Sequence, residues 1–309
     1  MPLVSSKDIL EAARRGGYAV GAFNTSNLEV SQAIIQTAAE KRSPVIISTS
    51  PSALKYAGVK HLHAIVESIA EDAPVPVALH LDHGLDVETV SDCVKHGWTS
   101  VMIDASKLPF RENAAMTRKA VDIAHAAGVS VEAELGRLVG IEDAVAVSDR
   151  EALLTDPGEA ARFVEITGCD VLAVAVGTSH GAYKFKGEAK LDFERLQEIA
   201  RAVPISLALH GASGVLKESI EKALKYGAGE KLAKAAGVPD EAIKRAIKLG
   251  IQKINIDTDL RLAFVAALRE VLAMEPDEID MRKLIAPGRE AMRTVIAYKM
   301  DLFGSSGRA

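Results

Sequence analysis

Short apolar runs alternate with longer amphipathic stretches along almost the whole chain. The runs fall at 18–23, 45–48, 77–79, 100–103, 130–134, 171–176, 205–209 and 253–256. Their brevity and near-continuous hydrophobicity are those of strands buried on both faces. Between them, apolar positions at helical spacing predict helices over 27–41, 87–96, 111–126, 158–167 and 192–202. Asp156-Pro157 supplies a cap and a first-turn proline for one of these, and Ala127-Gly128 closes another. Parallel strands need crossover helices, and eight such units predict a closed (β/α)₈ TIM barrel of the α/β class. The stretch 227–250 adds helix after the seventh strand, and a further amphipathic segment at 288–302 lies in the tail 276–309, expected to pack on the barrel or on a neighbouring subunit.

The 309 residues contain no low-complexity linker, and barrels of this size fold as one unit, so a single domain over 1–309 is expected. The net charge of -5 comes from 42 acidic and 37 basic residues dispersed along the chain. That balance argues against nucleic acid or a membrane surface as partner and leaves a small molecule. Cys93 and Cys169 have neither disulfide-scaffold nor thiolate-metal spacing, and both are expected to be reduced. No apolar run reaches the roughly 18 residues of a membrane helix. The start, Met1-Pro2-Leu3-Val4-Ser5, lacks a signal pattern, and a cytoplasmic location is expected.

Side chains at the carboxyl ends of barrel strands converge on one site. Strand three delivers Asp82 and His83, strand four Asp104, strand five Glu132 and Glu134, strand six His180, strand seven His210, and strand eight Asn255 and Asp257. A lone histidine is more often a buried imidazole bonded to backbone than a ligand. His61, His63, His96 and His125, in helical stretches, take that reading, and His80 is expected to point across the strand from His83. Three imidazoles from separate strands are different. They suit zinc or a similar first-row ion with one position left open, and the adjacent Asp82 is placed to move a substrate proton.

Glycines and hydroxyls recur just past the later strands, in Gly177-Thr178-Ser179-His180-Gly181 and His210-Gly211-Ala212-Ser213-Gly214. Free backbone N–H groups there can surround a phosphate. Asn255-Ile256-Asp257-Thr258 runs straight into a helix, whose N-terminus attracts anions. Singly, each is as readily a turn or a cap. Jointly, on strands six to eight, they read as a phosphate site.

These two segments, with Gly21-Ala22-Phe23-Asn24, His80-Leu81-Asp82-His83-Gly84, Glu132-Ala133-Glu134-Leu135-Gly136 and Asn255-Ile256-Asp257-Thr258-Asp259, resemble the class II, metal-dependent fructose-1,6-bisphosphate aldolases in order and spacing. The resemblance runs from Val4 to about Phe303. It implies reversible cleavage of fructose 1,6-bisphosphate to dihydroxyacetone phosphate and glyceraldehyde 3-phosphate, a step of glycolysis and gluconeogenesis. It further implies zinc, with cobalt as a substitute, on His83, His180 and His210, and a second divalent ion near Asp104 and Glu134, with a monovalent cation in addition. Asp82 would exchange a proton with the C4 hydroxyl, and Glu142, in the glycine-bearing loop 140–144, would serve the carbon proton. Asn24, Gly181, Lys184, Gly211, Ser213, Asn255, Asp257 and Thr258 correspond to contacts with the C1 phosphate and dihydroxyacetone portion. Arg261, and Arg282 of the partner subunit in a homodimer or homotetramer, correspond to contacts with the C6 phosphate. The rivals are a tagatose-1,6-bisphosphate aldolase, a Schiff-base enzyme using Lys253, and a non-catalytic sugar-phosphate-binding barrel subunit.

Overall fold

The computed structural model describes residues 3–136, 139–142, 145–147, 154–180, 191–235 and 237–309. Its strands are β1 (Val20–Asn24), β2 (Val45–Thr49), β3 (Val77–Gly84), β4 (Ser100–Ile103), β5 (Ser130–Leu135), β6 (Val139–Glu142), β7 (Val145–Val147), β8 (Val171–Val174), β9 (Ser179–His180), β10 (Ser206–Leu209) and β11 (Ile251–Ile256). Eight of them close a barrel in the order β1-β11-β10-β8-β5-β4-β3-β2, and its registers are parallel throughout. The expected (β/α)₈ architecture is therefore present, with boundaries shifted by a few residues. The largest shift is in β3, which runs on through His80, Asp82 and His83 to Gly84.

The helices are α1 (Ser6–Gly16), α2 (Leu28–Lys41), α3 (Pro51–Ala57), α4 (Val59–Glu71), α5 (Val87–Lys95), α6 (Phe110–His125), α7 (Pro157–Thr167), α8 (Phe193–Ala202), α9 (Lys217–Lys225), α10 (Asp240–Lys248), α11 (Thr258–Met274) and α12 (Met281–Phe303). The cap read from Asp156-Pro157 is real: Asp156 Oδ1 accepts from the Glu159 N–H at 2.9 Å. The helical excursion after the seventh strand resolves into the 3-10 turn Glu230–Lys234 and α10. The tail segment begins earlier than expected, at Met281, with Pro287 inside the helix.

Barrel strands alternate inward and outward. Outward residues such as Leu79, Val101, Val131, Leu172 and Ile254 join the helices in one continuous apolar layer. Inward residues make a second, smaller core of Val20, Ala22, Ile46, Ala78, Met102, Val171, Ala173 and Ala208, plugged from below by Ile9, Leu10 and Ala13 of α1. Above that apolar plug the inward positions turn polar: Asn24, His80, Asp82, Glu132, Glu134, His210, Lys253 and Asn255. A rigid sheet, sealed at the bottom and polar at the top, thus carries the site.

One expectation changes here. The stretch 140–144 was expected to be a glycine-bearing loop; 143 and 144 lie outside the described residues, but 140–142 belong to β6, which pairs antiparallel with β7 and parallel with β9 in a three-stranded sheet outside the barrel. Alternating Val139, Ile141, Val145 and Val147 supply the β-favouring pattern. His180 lies past the sixth barrel strand, β8, as expected, and there it forms part of β9, opposite Gly140 of β6.

Candidate active site

In an ideal strand Asp82 and His83 would face opposite sides of the sheet. They do not, because His83 adopts φ 50, the left-handed region that a non-glycine residue rarely occupies. The same place interrupts the β3–β4 register between Leu81 and Gly84. The kink turns the imidazole back toward the barrel axis, so that ligating atoms of Asp82, His83 and His210 lie within 4.8 Å of one another. A second group, His83, Asp104 and Glu134, is equally close.

Each of the two imidazoles is held from behind by a carboxylate. His83 Nδ1 lies 2.8 Å from Asp104 Oδ2, and His210 Nε2 lies 2.7 Å from Glu132 Oε1. With those nitrogens donating, the remaining ones, His83 Nε2 and His210 Nδ1, face each other at 3.0 Å. Two lone pairs so placed repel unless a cation sits with them, and a carboxylate on the far nitrogen of each ring is how metal-binding histidines are oriented. Burial by itself lowers the pKa of His83, but Asp82, Asp104 and Glu134 outweigh it and raise it well above the ordinary histidine value. His210, by contrast, has its pKa lowered, chiefly by burial. The donor set fits a divalent ion. Among the described residues, the carboxylates of Asp82, Asp104, Glu132 and Glu134 gather round the two imidazoles against one buried ammonium, Lys253.

Asp82 is held by amides on both oxygens. Asn24 Nδ2 donates to Oδ2 at 3.1 Å and Asn255 Nδ2 to Oδ1 at 2.8 Å. Burial raises its pKa, but the facing His83, Lys253 and His210 outweigh that, and the carboxyl stays below its ordinary value. Asp82 is thus ionised and aimed. His80 shares the inward face with Asp82. Its Nδ1 meets Ser100 Oγ at 2.8 Å, and burial with Lys253 nearby drops its pKa to about 3, so it is a neutral member of the barrel interior.

The other expected site residues divide. Ser213 Oγ accepts from the Asp257 N–H at 3.5 Å, and Asp259 Oδ2 accepts from the Gly214 N–H at 2.9 Å, which ties the 210–214 loop to the start of α11, where Thr258 also lies. Arg261 pairs with Asp257 at 2.7 Å on the wall of a cavity of about 470 Å³ that also exposes Asn24, Thr25, Ser50 and Ser52. Arg282 is not brought to this site: its side chain is 91% exposed and paired with Asp280. The backbone of His180 pairs with Gly140 of β6, the strand that ends at Glu142, while the side chains of His180 and Glu142, together with Gly181 and Lys184, lie outside the described residues. Glu132, read only as a strand-end carboxylate, and Lys253, considered only for a Schiff base, stand at the centre of the polar network. Their signal was present in the sequence, as ionisable residues inside apolar strands.

The family model "Fructose-bisphosphate aldolase class-II" matches residues 4–230 and 234–308. The chain belongs to this family. Its relatives include the fructose-bisphosphate aldolase of Thermus caldophilus, 53% identical over 99% of this chain and 100% of the relative. The fructose-bisphosphate aldolase of Helicobacter pylori is 48% identical over 99% of each chain. Among solved structures, the YdjI aldolase of Escherichia coli superposes with a TM-score of 0.79 at 35% identity, covering 99% of both chains. The family is metal-dependent, in accord with the paired imidazoles. No helix among the described residues is long and apolar enough to cross a membrane.

Proposed function

We propose that this chain is a cytoplasmic, homo-oligomeric aldolase, a single catalytic domain that reversibly cleaves fructose 1,6-bisphosphate to dihydroxyacetone phosphate and glyceraldehyde 3-phosphate. The observation that carries the reading is an ionised carboxylate, Asp82, fixed by two amides directly beside the His83–His210 pair. His83 and His210, with His180 as the third ligand, are the residues that would hold zinc. When bound, the ion supplies a Lewis acid for the negative charge that develops as the C3–C4 bond breaks.

The remaining work falls to side chains. Asp82 accepts the C4 hydroxyl proton during cleavage and returns it in condensation. Its amide partners leave it no freedom to rotate, so the free lone pairs keep one direction. Glu142 delivers the proton to the enediolate carbon. Asp104 fixes the tautomer of His83, and Glu134, 3.9 Å from His83 and 3.8 Å from His210, is a carboxylate for a second cation. Backbone donors around Gly181, Gly211 and Ser213, with Lys184 and the N-terminus of α11 at Asp257 and Thr258, would hold the C1 phosphate. Asn24 and Asn255 border the dihydroxyacetone end, and Arg261, with Arg282 of the partner subunit, serves the C6 phosphate.

The test couples metal analysis to a cleavage assay. Chelation is expected to abolish cleavage, and zinc or cobalt to restore it. Asp82→Ala is expected to retain metal and fold while losing at least roughly 100-fold in kcat. Activity that survives chelation together with a borohydride-trapped adduct would defeat the metal reading, and a strong preference for the tagatose ester would move the substrate assignment.

A further inference from the structure

Lys253 is the one ammonium in the barrel interior among the described residues, and its side chain has no solvent exposure. An ammonium has three donors and no acceptor, so its neighbours must all present oxygen. Nζ donates to Glu132 at 2.9 Å from Oε2 and 3.1 Å from Oε1, and to Asn255 Oδ1 at 2.7 Å. The second contact has a consequence for Asp82. An amide carries its acceptor and its donors on opposite sides, and the two can exchange by a flip about the last side-chain bond. Lys253 forces the carbonyl oxygen of Asn255 to face the barrel centre. The amide nitrogen is then turned to Asp82, where it donates to Oδ1 at 2.8 Å. A flipped Asn255 would put its carbonyl oxygen against an ionised carboxylate.

From this chain of contacts we infer that Lys253 is a positioning residue for the proton-transfer step, acting through Asn255 to fix the orientation of the Asp82 carboxylate. Glu132 anchors the ammonium and also accepts from His210 Nε2, so one buried group ties the proton carrier to the imidazole pair. The alternative is that Lys253 merely neutralises Glu132, which would otherwise be a lone buried charge. The inference rests on the aldolase reading and on the role given there to Asp82.

The experiment separates two reactions of the zinc-saturated, full-length enzyme. Cleavage of fructose 1,6-bisphosphate needs the C4 hydroxyl proton removed. Exchange of the C3 hydrogen of dihydroxyacetone phosphate with deuterated solvent, followed by NMR, does not, because that substrate has no C4. Lys253→Met is expected to lower the ratio of the cleavage rate to the exchange rate at least tenfold. Lys253→Met combined with Glu132→Gln removes the charge pair as a unit and serves if the single variant does not fold. In it the amide of Asn255 is again unguided, and the ratio is expected to stay low. A ratio equal to wild type in either variant overturns the inference, since the lysine would then only compensate charge. Asp82→Ala, run alongside, guards the premise: if it leaves cleavage intact, the role of Asp82 falls, whereas loss of cleavage there with a normal ratio in the lysine variants condemns the positioning role alone.

Discussion

Asp104→Ala isolates what the carboxylate behind His83 contributes. In the structure it accepts from His83 Nδ1 at 2.8 Å, and the next carboxylate, Glu134, is 3.9 Å away, too far to replace it. The lost contact is a hydrogen bond to a charged acceptor, which contributes about 1.5–3 kcal/mol. At about 1.4 kcal/mol per factor of ten, metal affinity should fall roughly 10- to 100-fold, the range found when second-shell partners of ligating histidines are removed. The physical route is the tautomer. Without Asp104 the proton of His83 can move to Nε2, and the lone pair that faces His210 is lost for part of the time. Competition against a chromophoric zinc chelator measures the affinity, and kcat at saturating zinc measures what remains once the ion is in place. Affinity should fall while kcat at saturation stays within a few-fold. An affinity within twofold of wild type would refute the orienting role, and a collapse beyond about 1,000-fold would make Asp104 a direct ligand instead.

Two further predictions concern the frame around the site. Asp170, at the bottom of the barrel, accepts from Lys7 at 2.9 Å, His125 at 2.8 Å and the Val131 N–H at 2.9 Å. Burial raises its pKa, but these donors outweigh it and hold the carboxyl below its ordinary value of 3.8. A depressed folded pKa stabilises above the unfolded value and loses that contribution as pH falls through the folded one. Asp170→Asn should therefore cost roughly 1–3 kcal/mol in urea unfolding at about pH 7, and clearly less at about pH 3. A difference that does not change with pH would contradict this. Gly237→Ala would drive a Cβ into the backbone of Ser213 and Gly214, which cannot yield like a side-chain tip. A stability loss of about 1–3 kcal/mol with a raised KM for the bisphosphate is expected, and a normal KM would argue against the 210–214 loop as a phosphate holder.

The barrel was legible in the chain because strands buried on both faces must be apolar nearly throughout. Any ionisable residue at the end of such a run then has to serve the shared mouth. That reasoning reached Asp82, His83, His210, Asp104, Glu134 and Asn255 directly. It failed for 140–142, read as part of a loop, which belongs to the strand β6 paired with β7 and β9. The partner β7 is close in sequence, but β9 is about 40 residues away, and no local pattern reports a pairing of that range.

The sequence by itself determined the eight barrel strands, their polar ends and the family, all of which follow from residue type and spacing. Only the tertiary structure decided how those residues share their bonds. The left-handed backbone of His83 cancels strand alternation and turns both members of Asp82-His83 to one side. Asp104 and Glu132 fix which nitrogens of His83 and His210 face each other. Lys253, which the sequence offers as a lysine in an apolar strand, donates to the Asn255 carbonyl oxygen, and the Asn255 amide nitrogen donates in turn to Asp82. Hydrogen bonds depend on angles and distances between side chains some 100 to 170 residues apart, and those come into being only when the barrel closes.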